Sequence, residues 1–224
     1  MHWNIDRKPE VVREPAGKII LASRSPRRAE LLSAAGFVFD VHAAEIDETP
    51  RPGEPAAAYV ERLAIEKAQA AFKELIDKPS AFAPGASAFA SATADKSADK
   101  KGLLVLGADT TVVLDGRILG KPEDRADAIA MLKALSGRAH DVLTGVAIVS
   151  AAGVRSGVEH TRVWFAAVTD EDIRQYVDSG QPMDKAGAYG IQGLASRFIP
   201  RIEGSYTNVV GLPVTLVSSI LRGE

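Results

Sequence analysis

The sequence predicts an α/β fold, on three observations. Short apolar runs at Lys18 to Ala22 and Leu103 to Leu106 read as strands buried on both faces. Amphipathic helical stretches stand between such runs. Two long segments rich in β-branched residues, Asp141 to Ala151 and Arg155 to Ala167, add strands joined near Gly153.

In chain order, residues 1–17 read as an extension, and the strand from Lys18 feeds Ser23-Arg24-Ser25-Pro26-Arg27-Arg28. Ser25 suits an N-cap, Pro26 the first helical position and Gly36 the C-terminal stop, so a helix is expected from Pro26 to about Ala35. Arg27 and Arg28 then fall in its first turn, where cations oppose the helix dipole. An anion such as a phosphate, held with the Ser23 and Ser25 hydroxyls, would account for them, and so would a solvated basic turn. On the dipole argument alone, removing Arg28 should leave the free protein's stability level or slightly raised.

A short strand is expected from Phe37 to His42. Ala44 to Pro52 follows as a Pro-bounded loop holding the acids Glu45, Asp47 and Glu48, where no helix can run. These acids read either as surface charges or as an acid/base or metal site. From Glu54 or Pro55 to Ile76 the apolar residues recur at helical spacing. Lys67 falls on that apolar stripe, as a border lysine with its head in solvent or as one aimed at a phosphate. Asp77 to Lys101, built mainly of Ala, Ser, Lys, Asp, Pro and Phe, reads as a flexible insertion.

The run Leu103 to Ala108 ends in Asp109, which places a carboxylate at the carboxyl end of a central strand, where ligands gather in open α/β sheets. Asp115-Gly116 between two β-rich triplets predicts a tight hairpin, which returns Gly120-Lys121-Pro122 toward Asp109. Asp124 to Leu135 is a helix stopped by Gly137, and Thr169 with Asp172 forms a capping pair for a helix ended by Gly180. Met183 to Gly193 is an ordered loop whose glycines allow a ligand close to the backbone. A strand near Phe198 to Ile202 and a helix from about Leu212 close the chain. The four histidines never show metal-ligand spacing, and His140 and His160 read as strand or core residues.

Composition narrows the function. With 224 residues, 46% of them hydrophobic, the chain can bury a sizeable core as one large or two small domains. The net charge of −2 gives no support to a broad nucleic-acid or membrane surface, so any anion must be held locally. The chain has no cysteine, which fits a cytoplasmic address. No apolar stretch approaches the roughly 18 residues of a membrane span.

Taken together, Ser23 to Arg28, Glu45-Ile46-Asp47-Glu48, Glu66-Lys67-Ala68, Gly107-Ala108-Asp109-Thr110, Gly120-Lys121-Pro122, Thr144-Gly145-Val146 and Met183 to Gly193 resemble the Maf family of nucleotide pyrophosphatases. The resemblance runs in order from Lys18 to Leu221. It implies one domain over residues 18–224 carrying the insertion at about 77–101. The implied fold is a mixed, elongated central sheet flanked by helices, with two lobes around a cleft, similar to the inosine-triphosphate pyrophosphatases. The implied activity is metal-dependent hydrolysis of a nucleoside triphosphate to the monophosphate and pyrophosphate, by a cytosolic and often dimeric enzyme.

Carried onto this chain, the resemblance makes Asp109 the general base and Glu45 the residue that positions water or, with Asp109, holds Mg²⁺ or Mn²⁺. Ser23, Arg28, Lys67 and Lys121 would bind the triphosphate. Arg27, Thr110 and Gln192 resemble the branch acting on dTTP and UTP. A 7-methyl-GTP or modified-pyrimidine pyrophosphatase and a silent nucleotide-binding regulator of septum formation are the alternatives. The insertion, the extension and Ser205, where many members carry an acid, depart from the family pattern without touching a motif residue.

Overall fold

The computed structural model describes residues 17–77 and 102–224. All of the expected extension but Gly17, and all of the expected insertion but Asp77, lie outside the described residues. The elements are β1 (Lys18–Leu21), α1 (Pro26–Ala34), β2 (Phe39–Val41), α2 (Ala56–Asp77), β3 (Leu103–Leu114), β4 (Arg117–Leu119), α3 (Arg125–Leu135), β5 (Ala139–Ser150), β6 (Gly153–Trp164), α4 (Asp170–Asp178), β7 (Arg201–Glu203), α5 (Tyr206–Val210) and α6 (Val214–Arg222). Three 3-10 turns, Gln181–Asp184, Ala186–Ala188 and Gly193–Phe198, lie between α4 and β7.

The strands form one mixed sheet in the order β2-β1-β3-β5-β6-β7, with β4 also paired to β3. Among the described residues only β1 pairs in parallel, with β2 and with the first four residues of β3. Farther along the same edge of β3, Val112 to Leu114 pair with β4. Among the described residues no strand lies beside the edge between Leu106 and Val112, and a gap opens in the sheet. The two-residue turn that makes β4 is the one its Asp-Gly sequence predicts. Asp115 at φ 51° and Gly116 at φ 75° are both left-handed, as a type I′ hairpin requires.

The gap divides two lobes. In one, α2 covers one face of the sheet through Ile20, Ala68, Ala71, Val105 and Val149. On its other face, α1 and α6 pack through Leu32, Val217 and Ile220 against Ile19, Leu106 and Val146. In the second lobe, α3, α4 and the 3-10 turns bury Leu132, Leu135, Ile173, Tyr176 and Phe198 against the far ends of β3 and β5. An elongated sheet flanked by helices with a cleft between two lobes is thus what the chain forms.

Glycine lets α2 come down onto the sheet. A Cβ on Gly107 would stand 2.1 Å from the Ala64 carbonyl oxygen, and one on Gly145 2.2 Å from that of Val60. Bare backbone at these two positions allows contact that any side chain would block.

Three expectations are corrected. Asp109 does not end its strand, because Thr110, Thr111, Val112 and Val113 carry β structure on to Leu114. It is β1, the parallel neighbour, that stops at Leu21 and leaves Asp109 opposite the gap. Ser25 occupies the N-cap position of α1 but makes no side-chain cap; its N–H donates instead to Ser23 Oγ, at 3.2 Å. The strand near Phe198 starts only at Arg201, since Gly193–Phe198 forms a 3-10 turn, and the short helix α5, capped by Ser205, lies just beyond it.

Candidate active site

The gap opens into a cleft of about 720 Å³. All nine residues singled out from the sequence line it: Ser23, Arg27 and Arg28 from the start of α1, Glu45 from the acidic loop, Lys67 from α2, Asp109 and Thr110 from β3, Lys121 beyond β4, and Gln192. The Gly187 N–H donates to the Gly120 carbonyl, at 2.9 Å, and ties the Lys121 turn to the 183–193 segment.

The centre is a lysine shared by two carboxylates. Lys67 Nζ lies 2.7 Å from Asp109 Oδ1 and 2.9 Å from Glu48 Oε1. Gly107, Asp109 and Thr111 alternate onto the face that α2 covers, and the close approach permitted by Gly107 and Gly145 brings Lys67 within reach. Lys67 and Asp109 side chains are only 12% and 10% exposed. Burial pushes the Asp109 carboxyl above the usual carboxylate range, against the pull of Lys67 and Arg28.

Thr110 faces the opposite side and meets Arg28. The guanidinium donates from Nε to the Gly211 carbonyl at 2.8 Å, and from its two terminal nitrogens to Ser23 Oγ at 3.0 Å and Thr110 Oγ1 at 3.2 Å. Thr110 Oγ1 lies 3.0 Å from Thr144 Oγ1, which donates to the Asn208 carbonyl at 3.1 Å. Arg28 is therefore a fixed cation whose hydrogen-bond partners are all neutral. Burial works against its charge, and two of its five N–H groups have no partner among the described residues. Such a group is ready for an anion. The helix-dipole reading missed that Arg28 is also a structural tie joining α1, β3 and the turn before α6.

The other residues stand farther out. Glu45 is 86% exposed and lies 3.5 Å from Arg24, so it is at the rim. Arg27 pairs with Asp184 at 2.9 Å, and Lys185 and Arg27 hold the Asp184 carboxyl down at about 2 although burial opposes its charge. Gln192 is exposed.

Glu48 is the residue that sequence reasoning did not single out. It lies in the same acidic stretch as Glu45, and only the path of the loop decides which acid reaches Lys67. Tyr59 marks that path, its hydroxyl donating to the Glu48 carbonyl at 3.0 Å. Burial and the Asp109 charge push Tyr59 up to about 12, so it keeps its proton.

His140 and His160 are structural. His140 is buried, with Nε2 2.7 Å from the Tyr189 hydroxyl and its ring edge-on to Phe165 and Tyr189. Burial lowers it to about 4. His160 pairs with Asp141 on the sheet surface.

Residues 18–224 match the sequence profile of the family described as Maf-like protein. Curated relatives include the dTTP/UTP pyrophosphatase of Hahella chejuensis, 48% identical over 205 residues and spanning 92% of this chain and 91% of that one. The enzyme of the same name from Aromatoleum aromaticum is 45% identical over 214 residues, spanning 92% and 94%. That from Geobacter metallireducens is 48% identical over 207 residues, spanning 92% and 95%. Among solved structures, the Staphylococcus aureus Ham1 protein aligns at 13% identity over 92% of this chain and 98% of that one, with a TM-score of 0.44.

Proposed function

We propose that this chain, which belongs to the Maf family, is a nucleoside triphosphate pyrophosphatase that cleaves dTTP and UTP between the α and β phosphates. The carrying observation is the shared lysine: a buried carboxylate, Asp109, held by Lys67 at the open edge of a sheet, in the same cleft as the fixed cation Arg28, whose charge also acts on it. The substrate follows the names of relatives that are close to half identical over most of both chains.

The chain's own groups supply the hydrolysis. Lys67 occupies Asp109 Oδ1 and leaves Oδ2 to accept a proton from a water molecule. That water's oxygen bonds to the α phosphorus, the bond from phosphorus to the bridging oxygen breaks, and pyrophosphate leaves with the electron pair. The unspent N–H groups of Arg28, the Ser23 hydroxyl and Lys121 offset the growing charge on the phosphates. Lys121 has no hydrogen-bond or ion-pair partner among the described residues. Arg27, paired with Asp184, and Gln192 are the groups left to meet the base.

A hard divalent cation fits the donors. Among the described residues no three candidate ligands are gathered into a closed site, and Mg²⁺ is often held by one or two carboxylates together with substrate phosphates. Asp109 and Glu48 are the inner carboxylates, and Glu45 stands at the entrance. When bound, the ion would polarise the phosphoryl oxygens as a Lewis acid. A cytoplasmic address and a homodimer belong to the same reading. Among the described residues no helix is long and apolar enough to cross a membrane.

The test is a panel of nucleoside triphosphates with Mg²⁺ or Mn²⁺, monophosphate and pyrophosphate both measured. Equal amounts of the two from dTTP and UTP, well above those from 7-methyl-GTP and purine triphosphates, are expected. Release of inorganic phosphate and a diphosphate would contradict the reading.

A further inference from the structure

The loop that carries Glu48 lacks a core of its own. Every residue from Asp47 to Gly53 is exposed, and Pro50, Pro52 and Gly53 exclude regular structure. Polar bonds to α2 hold it instead, and half of them end on one side chain. Arg62 grips Glu54 with two bonds, Nε to Oε1 at 2.6 Å and a terminal nitrogen to Oε2 at 2.7 Å. The same nitrogen donates to the Thr49 carbonyl at 3.3 Å, and the other donates to Glu66 at 3.1 Å. Glu54 also accepts from the Arg51 N–H at 3.0 Å, which closes the loop's far end. The Arg62 and Glu54 side chains are 13% and 9% exposed, unlike the ordinary surface pairs of this protein.

We infer that Arg62 is a positioning residue for the hydrolysis: by clamping Thr49 and Glu54 it sets the acidic loop so that Glu48 meets Lys67 beside Asp109. The inference rests on the reading of the cleft as a pyrophosphatase site. Arg62 lies five residues before Lys67 on α2; it hydrogen-bonds neither Lys67 nor Asp109, so its influence passes through the loop. A planar fork gripping a carboxylate with two bonds fixes direction as well as distance, which a lysine cannot do.

The experiment compares wild type, Arg62→Gln, Arg62→Lys, Glu48→Gln and the Arg62→Gln/Glu48→Gln double variant. Arg62→Gln should lower kcat for dTTP about 10- to 100-fold with KM within about twofold, because the phosphate-binding cations stay in place. Arg62→Lys should recover only part of the loss. In the Glu48→Gln background, Arg62→Gln should cost little more, since residues acting as a unit are not additive. Amide hydrogen exchange should quicken across residues 45–54 in Arg62→Gln while β3 and the second half of α2 stay protected. An unchanged kcat, an independent further loss in the double variant, or unchanged exchange in the loop would overturn the inference. If wild type releases no pyrophosphate from any nucleotide, the functional reading fails, and the exchange measurement still decides whether Arg62 holds the loop.

Discussion

Lys67 Nζ stands between Asp109 Oδ1 and Glu48 Oε1, at 2.7 and 2.9 Å, so one ammonium bridges two carboxylates side by side. Without it, repulsion between the acids would add to the burial that already raises Asp109. A general base is active only when deprotonated, so activity falls as pH drops through its pKa. Lys67→Met should move the acidic limb of the kcat/KM profile to higher pH and lower the plateau at least about 100-fold. A pH profile from 4.5 to 9 checks this; an acidic limb at the wild-type position would separate Lys67 from the base.

Arg28 is expected to matter to the free protein as well as to the substrate. Arg28→Ala removes three hydrogen bonds and leaves the Gly211 carbonyl with one donor fewer. A loss of about 2 kcal/mol in apo stability follows, against the level or raised stability that the helix dipole alone suggests. Loss of its charge-assisted phosphate contact should also cut kcat/KM about 10- to 150-fold. Denaturant melts beside steady-state kinetics measure both effects.

His140 makes stability depend on pH away from the cleft. Its pKa falls from 6.5 to about 4 in the fold, so between those values the unfolded chain binds a proton that the folded chain does not. Stability is therefore full above about pH 6.5 and declines as pH falls toward 4, by about 3 kcal/mol in all. Urea melts across that window should show the slope, and His140→Gln should remove about one proton's worth of it.

Much of this was legible in the sequence because local chemistry decided it. Asp115-Gly116 fixed a hairpin, Thr169 with Asp172 capped a helix, and Gly36, Gly137 and Gly180 ended three helices with left-handed backbone. The residues that gather in the cleft were also legible, through their joint motifs. What was not legible depended on long-range geometry. The β-branched run after Asp109 extends the strand, and the twofold alternation then sends Thr110 to the other face, where its hydroxyl meets Arg28 and Thr144. The choice between Glu45 and Glu48 depends on a loop whose path is set by Arg62 and Tyr59 on a helix that starts after it. Arg28's ties to Gly211 and Thr110 join residues 183 and 82 positions apart in the chain.

The most direct test of the account is Asp109→Asn, measured for turnover, nucleotide binding and stability together. The substitution removes a base and a buried charge but almost no volume. Because burial raises the Asp109 pKa, its ionised form costs the fold stability at neutral pH, and the amide should leave the melting temperature level or higher. Pyrophosphate release from dTTP should fall at least about 1,000-fold, while calorimetry with the non-hydrolysable α,β-methylene analogue of dTTP still shows binding. An Asp109→Asn protein that is folded, binds nucleotide and keeps most of the wild-type rate would contradict the claim that Asp109 takes the proton.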